Sequence, residues 1–419
     1  MNAAGISPSS IVFQISGSKV INLQSELPAI QRSVSINSAN VPGIVLDGSN
    51  AGFGSGLTFI ESTVQISNVV GLQIREFSVY GIDIRPSNTN ERVNVSNCFV
   101  HSNGLDGVNI SGGRLHTISS DSVIQNNGQF GVSVNSTAVS GVTVTASALQ
   151  LNTLGGVKLL GNGHEISNCS IISNGQTESA GQHNGGVVFG SGASSATNCR
   201  AEFCTLADNA PYGAKVVIGS GNEVRENETY LNASLGIETL PVAQQPPPTL
   251  FFFVVDENND MVFIAGSASG TANSQVEIEF FVAFESTNQG AVFTSKKSVT
   301  LNASGFASFH HTFDRDQVFE AEAISPTPIP FTIDNADRLV ATATNTNGNR
   351  GTSEFSARSF PTLPGDFDLD GDVDSGDYTI WRDHKTATNA IYTWGDADFD
   401  TVVDDADYAI WAANFGQTP

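Results

Sequence analysis

Between residues 98 and 237 one short phrase recurs: an apolar run, an asparagine, three further residues, then glycine and a β-branched residue. It reads Asn103…Gly107-Val108, Asn127…Gly131-Val132, Asn152…Gly156-Val157 and Asn232…Gly236-Ile237, with Asn209…Gly213-Ala214 as a weaker copy. The steps between glycines (107 to 131, 131 to 156, 213 to 236) are 24, 25 and 23 residues. A fixed period of this kind is the mark of a solenoid. Three short strands per coil, always with the same face inward, fill it and predict a parallel β-helix. No coil can bury its inward Val, Ile and Leu alone, whereas stacking buries them as one continuous core. Asn at a fixed turn tolerates the left-handed region and can hydrogen-bond its stacked neighbour, while Gly lets the chain bend tightly. Asn-Gly pairs before alternating hydrophobes would otherwise suggest antiparallel hairpins; the regular period decides against them.

Earlier coils are less regularly spaced. Ile11–Ile15, Val34-Ser-Ile36, Ile44-Val-Leu46, Leu57-Thr-Phe59, Leu72-Gln-Ile74 and Ile82-Asp-Ile84 all read as strands. The run Ile11…Leu27-Pro-Ala-Ile30…Val34-Ser-Ile36…Pro42-Gly-Ile44…Leu46-Asp-Gly48 resembles the early coils of bacterial right-handed parallel β-helix proteins of the pectate-lyase-like superfamily. Among these, the exported, surface-associated members are the most similar. The resemblance spans roughly residues 5–240 and specifies architecture better than activity. One coil breaks the phrase: twelve steps separate Asn174 from Gly186, inserting Gly175 to Asn184 with Glu178 and His183. Loops protruding from a solenoid are common functional positions, although a length variation without a role is the simpler reading.

Leu240-Pro-Val-Ala-Gln-Gln-Pro-Pro-Pro248 reads as a semi-rigid linker. Longer alternating strands follow at 250–255, 275–283, 298–301, 306–309 and 339–344, with turns such as Asn302-Ala-Ser-Gly305. They predict an antiparallel β-sandwich. Segments 275–284, 300–309 and 341–355 resemble the Ig-like module that follows such β-helices. His310 and His311 sit on a strand with alternating faces, which makes them a poor metal pair.

After Pro361 and Pro364 come two acidic loops thirty residues apart. The first places Asp366, Asp368, Asp370, Asp372, Asp374 and Asp377 at positions 1, 3, 5, 7, 9 and 12, with Gly371 at position 6. The second has Asp396, Asp398, Asp400, Val402, Asp404 and Asp407 in the same frame. Ca²⁺ takes six to eight oxygens at about 2.3–2.6 Å, which alternating carboxylates round a tight turn supply. Each loop runs into a helix, and in the second Tyr408, Trp411 and Phe415 fall at i, i+3 and i+7 before Gly416. The prolines leave no room for an entering helix. Two loop–helix units of this kind, from Gly365 to Gly416, resemble a type I dockerin.

That resemblance implies two Ca²⁺ sites. One is formed by Asp366, Asp368, Asp370, the Asp372 carbonyl, Asp374 and Asp377; the other by Asp396, Asp398, Asp400, the Val402 carbonyl, Asp404 and Asp407. It also implies a cohesin-like partner, contacted through hydroxyl-rich pairs at positions 10 and 11. Here those positions hold Ser375-Gly376 and Asp405-Ala406, a departure that leaves the partner open. Thr401 replaces the position-6 glycine, so the second site is expected to be weaker.

The expected fold class is thus mainly β: a right-handed parallel β-helix (1–240), a Pro-rich linker (241–248), an Ig-like sandwich (249–360) and a small α-helical dockerin-like calcium module (361–419). The net charge of −24 opposes nucleic acid as a partner, because phosphate binding depends on Lys and Arg. No apolar run approaches a membrane span and no signal peptide opens the chain. Weak Ca²⁺ loops suit an extracellular or cell-surface protein, and the N-terminus reads as a fragment boundary. Cys98, Cys169, Cys199 and Cys204 read as free buried thiols, with a Cys199–Cys204 link as the alternative.

Catalysis has no family motif here. The acids of residues 98–237 are Asp106, Asp121, Glu165, Glu178, Glu202, Asp208, Glu223, Glu226 and Glu228, mostly at unrelated coil phases. His164 and Glu165 should face opposite ways, and Glu226 and Glu228 could share a strand face. The preferred expectation is a non-catalytic exported protein that presents its β-helix to carbohydrate or another surface. The alternative is a polysaccharide lyase or glycoside hydrolase delivered by its dockerin, recognisable by two or three acids gathered within about 10 Å.

Overall fold

The computed structural model describes residues 9–60, 66–87, 90–175, 183–240, 245–257, 260–284, 287–319, 329–334, 337–347 and 351–418. These residues fall into two compact units: residues up to 246 with 343–354, and 247–319 with 329–342 and 355–418.

The first unit is a parallel solenoid of three sheets, two with nine strands and one with eight. A representative coil runs Arg92–Ser96 in the first sheet, Phe99–His101 in the second and Val108–Ile110 in the third. Each strand pairs in parallel with its counterparts one coil before and one coil after; Val108, for example, lies between Ile82 and Val132. Inward Ile82, Val108, Val132, Val157 and Val187 are all fully buried, as the recurring phrase requires.

The turns follow one rule. The last six second-sheet strands are each bracketed by two residues in the left-handed region, five positions apart: Asn97 and Ser102, Asp121 and Asn126, Ala146 and Leu151, Asn168 and Ser173, Phe203 and Asp208, Glu226 and Leu231. Their φ angles lie between +44° and +57°. The ladder asparagines therefore do not take the left-handed conformation themselves, contrary to expectation; the residue before each one does. That bend aims the amide inward, where the ladder forms as predicted. Asn127 Oδ1 accepts from Asn103 N and Nδ2 at 3.1 and 3.0 Å. Asn152, Asn174, Asn209 and Asn232 repeat the pattern.

Glu226 is one of the left-handed residues, so it turns away from the strand carrying Glu228 and the two share no strand face. The four cysteines are free and buried. Cys199 and Cys204 lie before different strands and remain unlinked; Cys204 instead stacks on Cys169, whose backbone N–H donates to its Sγ at 3.4 Å. Most of the insertion in the interrupted coil, 176–182 with Glu178, lies outside the described residues.

In the second unit, Thr249–Asp256, Met261–Ser269 and Phe306–Asp314 form one antiparallel sheet. Gly290–Thr300, Gln275–Ala283 and Arg338–Asn345 build the other. Phe280 joins them, its ring 5.8 Å from Phe309 and 5.3 Å from His311. His311 is half-buried and its ionisation is lowered by burial, while His310 faces solvent, so the two do point apart.

Two helices close the chain, α1 (Ser375–His384) and α2 (Asp405–Asn414). Asp374 and Asp404 cap them through capping boxes completed by Asp377 and Asp407. Tyr408 and Phe415 are 40% and 57% exposed, so the aromatic stripe of α2 is largely a surface. Among the described residues no helix is long and apolar enough to cross a membrane.

Candidate functional site

Alternation sends every second strand residue outward. In the third sheet, the position two after the repeat glycine reads Asp83, Asn109, Ser133, Lys158, Val188 and Lys215 in consecutive coils, in register. The position just before that glycine reads Tyr80, Asp106, Phe130, Gly155, Gly185 and Tyr212. The whole chain has only 18 Lys and Arg, and two of the three lysines before residue 246 stand in this one face.

Side chains knit the face across coils. Asn109 Nδ2 donates to Asp83 Oδ1 at 2.8 Å, and Arg85 Nε lies 3.2 Å from Asp83 Oδ2. Asn135 Nδ2 donates to Asn109 Oδ1 at 2.7 Å and reaches Asp106 Oδ2 at 3.5 Å. Phe130 N donates to Asp106 Oδ1 at 2.9 Å. Lys158 leans back over the Phe130 ring, its Nζ 5.0 Å from the centroid. Gly155 leaves room for that ring, because a Cβ there would come within 2.6 Å of it.

The electrostatics of this face are unusual. Asp106 is 1% exposed, and among the described residues no Lys or Arg salt-bridges it. Burial pushes its carboxyl up to about 6. Lys158 is shifted the other way: burial lowers it, and the charge of Asp106 opposes that shift. Burial also raises Asp83, and burial, then the charges of Asp106 and Asp83, raise Tyr80. Asp47, on the second sheet, shows what a structural carboxylate looks like in this protein. Hydrogen bonds from Ser49 and a two-pronged contact with Arg75 at 3.0 and 2.9 Å hold it low.

Of the acids weighed from the sequence, Asp106 alone belongs to this face. Asp121, Glu165, Glu202, Asp208, Glu223, Glu226 and Glu228 lie on the other two sheets or their turns. His164 is buried and structural: its Nδ1 accepts from Val142 N at 3.1 Å, while Glu165 is exposed. Sequence reasoning missed Tyr80, Asp83, Arg85 and Lys158. The signal was present, because aligning Gly81-Ile82-Asp83 with Gly107-Val108-Asn109 and Gly156-Val157-Lys158 puts all three polar residues in one row.

The acidic loops are the second candidate site. Asp366, Asp368 and Asp370 bring one carboxylate oxygen each within 4.8 Å of one another, as do Asp396, Asp398 and Asp400. Asp366 and Asp396 are each 2% exposed, and in each Oδ1 is buried without a hydrogen-bond partner. Burial, then neighbouring carboxylates, raises Asp366 to about 6 and Asp396 to about 7. An orphaned buried oxygen within a ring of carboxylates fits a hard divalent cation, so Ca²⁺ suits the donor set. Asp377 and Asp407 are buried and held by backbone donors: Asp377 Oδ1 and Oδ2 accept from Phe367 N and Asp374 N at 2.6 and 2.8 Å, and Asp407 does the same with Ala397 N and Asp404 N. Asp374 and Asp404 serve as helix caps, and Asp372 and Val402 lie half-buried between.

Thr401 takes φ +74°, where Gly371 takes +101°. Both donate to the position-1 carboxylate at 3.1 Å, so the second loop keeps its geometry at the cost of strain. Thr401→Gly should therefore relieve about 1–2 kcal/mol. With Ca²⁺ as the cation proposed for these loops below, calorimetry should show roughly tenfold tighter binding at one of two sites; unchanged affinity would contradict the strain argument.

The two loops also hold each other. Trp381 Nε1 donates to Asp404 O at 2.7 Å, and Trp411 Nε1 donates to Asp374 O at 2.9 Å. Each helix thus braces the other helix's loop. Trp411→Phe keeps an aromatic ring but removes the donor, and should weaken the Ca²⁺ proposed below for the first loop by about 1 kcal/mol. An effect confined to the second loop would rule out this bracing.

Comparison with known proteins bears on the first unit. Residues 80–241 match the family model of the right-handed β-helix region. The match agrees with the parallel coils of that stretch. No curated protein matches the chain. Among solved structures the chain is similar to the periplasmic alginate epimerase AlgG, at 13% identity over 49% of this chain and 47% of that one, with a TM-score of 0.33. It is similar also to pectate lyase Pel9A, at 15% identity over 55% and 64%, with a TM-score of 0.36. A third is the A-module of the mannuronan C-5 epimerase AlgE4 of Azotobacter vinelandii, at 15% identity over 53% and 86%, with a TM-score of 0.28. The chain spans less than two thirds of the length of the first two.

Proposed function

We propose that the third-sheet face of the β-helix acts on an acidic polysaccharide by removing the proton α to a uronate carboxylate. One observation carries this reading: Asp106 and Lys158 share a face, with ionisations pushed by burial from opposite sides toward neutrality. Perturbed groups of opposite kind on one face are the arrangement that acid–base chemistry requires. Lys158, whose burial eases loss of its proton, is the base that takes the proton once its amine is neutral. Arg85, whose side chain is largely exposed beside Asp83, can bind the carboxylate whose charge must be offset for that proton to leave. Tyr80, kept protonated, can give its proton to the departing glycosidic oxygen as the carbon–carbon double bond forms.

The test is to incubate the full chain with polymers of mannuronate, guluronate, galacturonate and glucuronate. Unsaturated product is expected from at least one. New reducing ends without unsaturation would point instead to hydrolysis by Asp83 and Asp106. Binding without turnover is the second reading, favoured by the first-sheet face, where Asn94 and Ser96, Thr117 and Ser119, and Thr143 and Thr145 stack in register as a polar strip. Retention on polysaccharide with no product would support that reading and remove catalysis.

The C-terminal helices, in the same proposal, form a dockerin-like module that holds two Ca²⁺ and attaches the exported chain to a partner. The orphaned oxygens of Asp366 and Asp396 support the calcium. Asp405, at a recognition position, is already ion-paired with Lys385, which argues for a partner unlike one that reads hydroxyl pairs.

A further inference from the structure

Thr249–Asp256 is buried on both faces: Phe252, Phe253, Val254 and Val255 are 6%, 0%, 2% and 2% exposed. A strand alternates, so two different layers must cover it. Phe252 and Val254 belong to one buried cluster with Phe367, Ala397 and Val403 of the acidic loops. Phe399, fourth residue of the second loop, stacks on Phe263 of the neighbouring strand, ring centroids 4.1 Å apart and planes 6° from parallel. Tyr392 lies 4.9 Å from Phe252 and 5.4 Å from Phe367, and its hydroxyl donates to Leu363 O at 2.7 Å. The chain enters this layer straight from the sheet, with Thr362 N donating to Phe253 O at 2.7 Å.

The loops are thus a wall of the sheet, and their own order depends on charge. Without a cation, each loop crowds like-charged carboxylates round one buried, unpartnered oxygen, an arrangement that opposes folding. We propose that Ca²⁺ in the two loops is a structural staple of the antiparallel sheets, so that loops, helices and the three-stranded sheet open together when calcium is withdrawn. This rests on the calcium reading above and is independent of the β-helix face. If the loops loosen, Phe252, Val254 and Phe263 lose their cover, and the sheet loses one of the two layers that bury it.

The test uses the full chain, calcium chloride and a chelator, with calorimetry for binding and hydrogen exchange for order. On chelation, amides of Thr249–Asp256 should lose at least tenfold in protection together with those of α1 and α2, while the β-helix strand Phe130–Val134 stays unchanged. If calorimetry shows Ca²⁺ binding and the helices respond but Thr249–Asp256 keeps its protection, the staple is wrong and the calcium reading stands. If no Ca²⁺ binds at all, both fall.

Discussion

Asn152→Ala is expected to destabilise the β-helix by on the order of 3–5 kcal/mol, the largest effect of any single substitution outside the apolar core. Asn152 is 1% exposed and sits in the middle of the ladder. Its Oδ1 accepts from Asn127 N and Nδ2, at 3.1 and 2.9 Å. Its Nδ2 donates to Ile124 O and Asn174 Oδ1, at 3.0 and 2.9 Å. Truncation leaves these groups in a dry interior without partners, and each such group costs about 1–3 kcal/mol. A solenoid coil relies on its neighbours, so the loss should spread along the stack. The contrast lies one coil earlier, beside the ladder residue Asn127. Asn126 is exposed at φ +54°, and Asn126→Gly should leave stability within a few tenths of a kcal/mol. Denaturant unfolding followed by circular dichroism separates the two, and equal effects would mean that the ladder carries no special weight.

Lys158→Met should lower turnover of a uronate polymer by about 10²–10⁴-fold, the range for loss of a general base. Asp106→Asn provides the finer test. The Asp106 charge raises Lys158, against the lowering by burial. Removing that charge lets burial lower Lys158 further, so neutral amine appears at lower pH. The rising limb of the pH–rate profile should therefore move to lower pH in Asp106→Asn, even as the maximal rate falls. Asp208→Asn, at an exposed turn, should leave the profile in place. A merely structural Asp106 would reduce the rate without shifting the limb.

How much of this was legible before the fold was known differs from element to element. The recurring Asn and Gly fixed the coil and its inward Val positions, because a stacked repeat demands both. The ladder was expected; the left-handed residue before each Asn was not, since Ser102, Leu151 and Asp208 share no side-chain type that signals it. The sheet strands were readable from alternation, but alternation alone did not show that Phe252 to Val255 are buried on both faces. What covered it was not readable, because the loop hydrophobes Phe367, Phe399 and Val403 also make sense as a private core of the calcium module. The third-sheet face escaped for a different reason. Asp83 belongs to an early coil with Phe77 in place of the ladder asparagine, so the Gly-x-polar phrase it shares with Asn109 and Lys158 is easily passed over until strand register sets the three in one row.

Hydrogen exchange of the full chain with and without a saturating uronate oligosaccharide tests the proposed face most directly. Protection should rise in the third-sheet strands Ile82–Ile84, Val108–Ile110 and Gly155–Leu159, and in the turn holding Tyr80, with Lys158→Met retaining part of it. Protection confined to the first-sheet strands Arg92–Ser96, Thr117–Ser119 and Thr143–Thr145, or none at all, would contradict the assignment.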